Sequence, residues 1–259
     1  MSTPSLLEAH AEELWHRAQN GEITYTAFLT PREQHLLYRA LPAARDAMLP
    51  QGGYADAERQ RLLFLPPYMT DAEPELRAEW LRDTLAELVI PLRISGSGFR
   101  ELSHRDYLGA ILNLGIERSA LGDLCICDPH SAILFCDRVM CIFLCEHLTR
   151  VANDAVHITE AELPADFNGG RHFRPIRDTV ASPRLDSVVA ALTNLSRERA
   201  QQLLREGLVE LDYESADKPD KPVEEGAILT VRGKGKFVIR SLSEQTKKGR
   251  IRLAADQYL

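Results

Sequence analysis

From Leu185 onward the apolar positions recur at helical spacing (Leu185, Val188, Val189, Leu192), and Ser182 and Pro183 ahead of them supply a capping side chain and a first-turn proline. After Thr193-Asn194-Leu195 the pattern restarts: Ser196 is the cap, Ala200, Leu203 and Leu204 face inward, and Gly207 suits the left-handed residue that ends a helix. Two helices with one apolar face each must pack together. Residues 208–211 then alternate as a strand does, and 227–231 and 237–240 add two strands across Gly-rich turns. Further upstream the pattern predicts a strand near 86–94, a helix over 103–114, a hairpin over 123–136, a helix over 137–150 and a strand around 156–159. That order, βαββαβ, is the ferredoxin-like (RRM-like) arrangement. Asp128-Pro129-His130-Ser131 makes the hairpin turn, and Ser103 with Asp106 forms a capping pair. The front of the chain predicts helices over 5–19 and 31–41, the second capped by Thr30, and a strand at 61–65 before Pro66-Pro67.

The expected fold class is therefore α+β. A mostly helical N-terminal domain spans 1–75, a ferredoxin-like domain 76–165, a linker 166–180 and a helix-pair-plus-sheet module 181–259. The linker reading rests on Asn168-Gly169-Gly170-Arg171-His172-Phe173-Arg174-Pro175-Ile176-Arg177, flexible at its glycines and basic afterwards.

Composition changes this picture in two ways. At 44% hydrophobic, 259 residues suffice for several cores; no apolar run approaches a membrane span, and residues 1–14 lack the basic start and apolar middle of a signal peptide. A cytoplasmic location is expected, and the five cysteines are read as reduced thiols. The net charge of −7 is unevenly placed: residues 180–259 carry 14 Lys+Arg against 12 Asp+Glu, whereas 1–179 carry 17 against 26. Between Arg232 and Arg252, Arg232, Lys234, Lys236, Arg240, Lys247, Lys248, Arg250 and Arg252 face the single acid Glu244, which focuses positive potential near the C-terminus.

The spaced string Arg184-Leu185-Asp186, Ser196-Arg197-x-x-Ala200, Leu203-Leu204-x-x-Gly207-x-Val209 and Lys221-Pro222-x-x-x-x-Gly226 resembles the S-four domain, an RNA-binding αL module found in some pseudouridine synthases, tyrosyl-tRNA synthetases and ribosome-associated factors. It departs from that pattern where Asp212-Tyr213-Glu214, with an acidic insertion to Asp220, replaces an Asn-Gly turn, and where Gly226-Ala227 replaces Gly-Asp. The candidate RNA contacts are Arg184, Arg197, Arg199, Arg205, Lys221, Arg232, Lys234 and Lys236, with Asp186 orienting a nearby arginine and Ser196 capping. Arginines in the first helical turns, beside backbone amides open to phosphate oxygens, point to phosphate positioning.

In the central region the run from Gly96-Ser97-Gly98-Phe99-Arg100 through Ser103-His104-Arg105-Asp106-Tyr107 to Gly115-Ile116-Glu117-Arg118, then Leu121-Gly122-Asp123, is similar to YlmH-like proteins, whose C-terminal module is of the S-four type. The resemblance implies a non-catalytic protein that acts on the ribosome. It would bind structured rRNA, and tRNA as well, favouring the large subunit in rescue or quality control of stalled translation. Arg100, His104 and Arg105 are its candidate central contacts. A monomer is expected, with no cofactor and neither DNA nor membrane as partner.

Two other site chemistries are open to these residues. Ser103, His104 and Asp106 offer triad residue types, yet His104 and Asp106 are two apart and no G-x-S-x-G elbow exists, so capping is favoured. Cys125, Cys127, Cys136, Cys141 and Cys145 match no common zinc spacing and sit among apolar neighbours, which favours packing over metal. The competing functions are an RNA-modifying, pseudouridine-synthase-like enzyme and a protein-interaction adaptor in cell division.

Overall fold

Ser5 caps α1 (Leu6–Gln19): its hydroxyl accepts the Glu8 amide while the Glu8 carboxylate accepts the Ser5 amide. β1 (Thr24–Tyr25) follows, and Thr30 and Glu33 repeat the same box on α2 (Pro31–Ala40). β2 (Met48–Gln51) and β3 (Arg61–Phe64) complete a three-stranded antiparallel sheet with β3 in the middle, so the front of the chain holds a small sheet beside the expected helices. α3 (Pro67–Thr70) and α4 (Pro74–Leu88) come next. α4 corrects the expectation of a strand from residue 86: the strand starts at Ile90, and Ala86 to Leu88 are the last turn of a helix. That helix has no capping side chain and buries only Leu81 and Leu88, so its start signal and apolar stripe are both weak.

The central elements are β4 (Ile90–Gly96), α5 (His104–Leu112), β5 (Leu121–Asp128), β6 (Ser131–Cys136), α6 (Arg138–His147), β7 (Arg150–Val151) and β8 (Asp154–Glu160). They form an antiparallel sheet in the order β5-β6-β4-β8-β7, with β4 in the middle of the ferredoxin-like core. One apolar cluster joins the sheet to Tyr107 and Ile111 of α5 and to Cys141 and Leu144 of α6. The front and central parts are locked together. The Asp123 carboxylate accepts the Tyr54 hydroxyl at 2.6 Å and the amides of Glu58 and Arg59 at 2.8 and 3.0 Å, and buried Arg61 reaches Asp137 at 2.6 Å. Residues 1–170 accordingly form one compact unit and 171–259 a second; the computed structural model describes residues 5–170, 173–245 and 249–258.

The second unit opens with β9 (Phe173–Val180), then α7 (Leu185–Thr193), α8 (Arg197–Arg205), β10 (Val209–Leu211), β11 (Glu214–Ser215), β12 (Ile228–Val231), β13 (Gly235–Gln245) and β14 (Ile251–Tyr258). The six strands run antiparallel in the order β11-β10-β12-β13-β14-β9. Residues 173–180 are thus an edge strand paired along its length with β14, which corrects the linker reading for that stretch; Arg171 and His172 of that reading lie outside the described residues. Leu185, Val188, Leu203 and Leu204 pack on Phe237, Ile239 and Leu253, so α7 and α8 lie on one face of this sheet. Asp212 and Tyr213 take positive φ values of 51° and 65° between paired Leu211 and Glu214, a primed two-residue turn that does the work of Asn-Gly.

Candidate nucleic-acid interface

Arg184, not Ser182, stands at the N-cap of α7, and its side chain makes no capping hydrogen bond. The first amides of that helix are instead taken by the loop that follows β11. Leu185 donates to the Lys221 carbonyl at 2.9 Å and Asp186 to the Pro219 carbonyl at 3.0 Å. The expectation that phosphate would meet free amides at this helix start is therefore corrected: the acidic insertion folds back and satisfies them. At α8 the Ser196 hydroxyl accepts the Arg199 amide, as its position implied.

What the helix pair builds is organised around a buried carboxylate. Asp186 has no exposed surface, yet it accepts from Arg197 Nε at 2.9 Å and Nη2 at 3.3 Å, from Gln201 Nε2 at 2.8 Å, and from Arg184 Nε and Nη2 at 3.3 and 3.4 Å. Burial alone pushes its carboxyl pKa up, but the hydrogen bonds from Arg197, Gln201 and Arg184 outweigh that and hold it well below the usual carboxylate range. A buried acid is tolerated only when paired and hydrogen-bonded in this way. The two arginine side chains that satisfy it remain 39% and 53% exposed, and a guanidinium has five N–H donors, more than the two that each gives Asp186, so each keeps donors for an outside anion while its position is fixed from below.

Arg197 also lines a groove of about 340 Å³ bordered by Ser187 and Asn194 of the helix pair and by Thr179 of β9, with Arg250 at the same groove. Arg250 is anchored on Thr179, donating from Nε to the hydroxyl at 2.9 Å and from Nη2 to the carbonyl at 2.5 Å. It belonged to the basic run in the sequence, but only the β9–β14 pairing carries it to the helices. Gln201 was likewise unassigned; its place one helical turn after Arg197 was the available signal.

The remaining candidates spread out. Arg205 follows Gln201 by one more turn, exposed on the Arg197 side of α8. Arg199 lies on the other flank of the buried Ala200–Leu203–Leu204 face, 3.7 Å from Glu206, so the helix arginines gather as two, not three. Lys221 is half-buried, with its carbonyl committed to α7. Arg232 and Lys234 are exposed on the β12–β13 turn, and Lys236 lies over the rings of Tyr213 and Tyr258. Lys247 and Lys248 fall outside the described residues.

In the first unit Ser103 and Asp106 form a full capping box on α5, the Ser103 hydroxyl donating to Asp106 at 2.6 Å, which is a structural use of the residue types that suggested a triad. Arg100 and Arg105 are exposed. Partial desolvation and the nearby Arg118 push the His104 pKa below its ordinary value, which favours the uncharged ring. Arg105 shares a pocket of about 490 Å³ with His147 and Arg150, the latter unassigned from sequence. Cys125, Cys136 and Cys141 are buried and Cys127 and Cys145 exposed; among the described residues no three His, Cys, Asp or Glu side chains converge as a metal-ligand set, and no helix is long and apolar enough to cross a membrane.

Three family descriptions match along the chain: "YlmH, N-terminal" over residues 10–69, "Putative RNA-binding domain in YlmH" over 90–165 and "S4 domain" over 183–229. β9, β13 and β14 lie outside the last of these. The Ribosome-associated protein quality control protein P2 of Bacillus subtilis (strain 168) is 30% identical over 233 residues, spanning 90% of this chain and 86% of that protein. The solved Cell division protein ylmH from Streptococcus pneumoniae is 18% identical, covers 62% of this chain and 95% of its own, and superposes with a TM-score of 0.48. On the identity and coverage of the Bacillus relative and the three matched segments, this chain belongs to the YlmH family, with a YlmH-type RNA-binding domain at its centre and an S4 domain near its C-terminus.

Proposed function

We propose that this protein is a non-catalytic RNA-binding factor of the cytoplasm that associates with the large ribosomal subunit, gripping structured rRNA, and tRNA with it, during quality control of stalled translation. The observation that carries the reading is the fully buried Asp186 holding both Arg184 and Arg197 while leaving their side chains exposed to solvent. Guanidinium forks match phosphate oxygens bidentately, and a pair at fixed spacing measures the distance between phosphates instead of reading bases. A-form RNA hides its major-groove edges and exposes phosphates and 2′-hydroxyls, so recognition by backbone shape is the mode this arrangement suits. The name of the Bacillus relative supports placing that activity in ribosome-associated quality control.

Sedimentation of the tagged full chain through a sucrose gradient tests the placement. Co-migration with large subunits, abolished by Arg184→Ala with Arg197→Ala, is the expected result. Migration with free small subunits, or co-migration that the double variant leaves intact, would overturn it. Incubation with rRNA followed by nucleoside analysis addresses the enzymatic alternative, since stoichiometric modified uridine would refute the non-catalytic reading.

A further inference from the structure

The sheet face of the second unit opposite α7 and α8 carries a row of rings and cations running across the strands. Tyr213, on the primed turn after β10, lies 5.5 Å from Lys236 Nζ on β13; Lys236 lies 4.8 Å from the Tyr258 ring on β14. Tyr258 pairs in register with Phe173 on β9, the two ring centroids 5.0 Å apart at 66°, and Arg240 sits 5.5 Å over Phe173. Strand alternation places Lys236, Arg240, Tyr258 and Phe173 opposite the core residues Phe237, Ile239 and Ala255, and Tyr213 joins them through its contact with Lys236. Arg177 and Arg252 are exposed on the same face, against Asp256, which pairs with Arg240, and Glu210.

We infer that this face is a second RNA surface, and that it takes unpaired nucleotides. Flat rings bordered by cations are what base stacking and backbone phosphates need together, and the combination is tolerant of sequence because every base has a π-face. A duplex has its bases already stacked on one another and offers them no opening, so this face and the Asp186 site select different states of RNA. The Phe173–Tyr258 pair exists only because an edge strand from before the helices pairs with the last strand of the sheet. The inference deepens the RNA-binding reading and rests on it.

The test uses the full chain with two labelled RNAs, an unstructured oligouridylate of about 12 nucleotides, within the span that single-strand binders track, and a stable hairpin. Phe173→Leu with Tyr258→Leu keeps apolar bulk and removes the rings; Phe173→Trp with Tyr258→Phe keeps stacking surface. Fluorescence anisotropy is expected to show the leucine pair binding oligouridylate at least about tenfold more weakly, with hairpin affinity and melting temperature unchanged, and the aromatic pair behaving as wild type. Unchanged oligouridylate binding in the leucine pair, equal weakening for both RNAs, or no oligouridylate binding by the wild type would each overturn the inference. If the wild type binds the hairpin but not oligouridylate, this inference fails while the reading of the helix pair stands. If Arg184→Ala with Arg197→Ala leaves the hairpin bound while the leucine pair loses oligouridylate, the failure is that of the helix-pair reading.

Discussion

The chain carries two sets of arginines at the starts of short helices, and the structure treats them differently. At α7 and α8 a carboxylate with no exposed surface fixes Arg184 and Arg197 from beneath. At α5 the corresponding acid, Asp106, is spent on the Ser103 capping box, while Arg100 and Arg105 extend into solvent and the His104 pKa is lowered by desolvation and Arg118. A cation held in place loses little freedom when an anion arrives, whereas an exposed arginine must give up most of its rotamer freedom at that moment. Equal charge near two helix starts therefore does not mean equal affinity.

The strongest way to break this comparison is to delete the held pair. Arg184→Ala with Arg197→Ala is expected to weaken hairpin RNA binding by roughly a hundredfold or more, at about 1.5–3 kcal/mol for each charge-assisted contact, measured by anisotropy at fixed salt and repeated with Asp186→Asn added, because the pair alone leaves a buried carboxylate without a counter-charge. Next is Asp186→Asn, which touches no ligand. Losing the charge that positions both arginines is expected to cost about tenfold in affinity and about 1–3 kcal/mol in stability, a penalty in the range of a disrupted charged hydrogen-bond set. Because the folded pKa of Asp186 is depressed, its stabilisation is full above the unfolded carboxyl value of about 3.9 and lost as pH falls towards the folded value. Acid unfolding of the wild type should therefore carry a stabilising contribution in that window that Asp186→Asn lacks; superimposable acid-unfolding curves would contradict the role. Arg250→Ala, removing one groove cation already anchored on Thr179, is expected to lower affinity by about fivefold, or about 1 kcal/mol, the net value of an ordinary hydrogen-bonded contact and less than that of each held arginine. Smallest of all, Arg199→Ala should change hairpin affinity by less than about twofold, as expected of an exposed side chain paired loosely on the far flank.

The helix pair was legible in the chain because its apolar positions and the Ser196 cap repeat the periodicity that tertiary packing uses. β9 was not, for a physical reason. As the edge strand it buries only Val180 at its end, places Pro175 where the edge tolerates a missing donor, and alternates charged residues that read as solvated loop. β14 hides in the same way behind small and polar residues, Ala254, Ala255 and Gln257. With those strands unseen, neither Arg250 at the groove nor the Phe173–Tyr258 pair could be placed. The position of Asp186 two residues after Arg184 implies that it orients one arginine; only the fold reveals that it is fully buried and holds two. Ser182 misled because a Ser-Pro pair is a generic start signal, whereas here the loop carbonyls of Pro219 and Lys221 take over the capping.

The salt dependence of hairpin binding tests the contrast between the two arginine sets most directly. Measured from low to moderate salt, the log–log slope should fall by about 1 per phosphate-contacting cation removed, hence by about 2 for Arg184→Ala with Arg197→Ala and by clearly less than 1 for Arg100→Ala with Arg105→Ala. A slope unmoved by the first pair and reduced by the second would contradict the account.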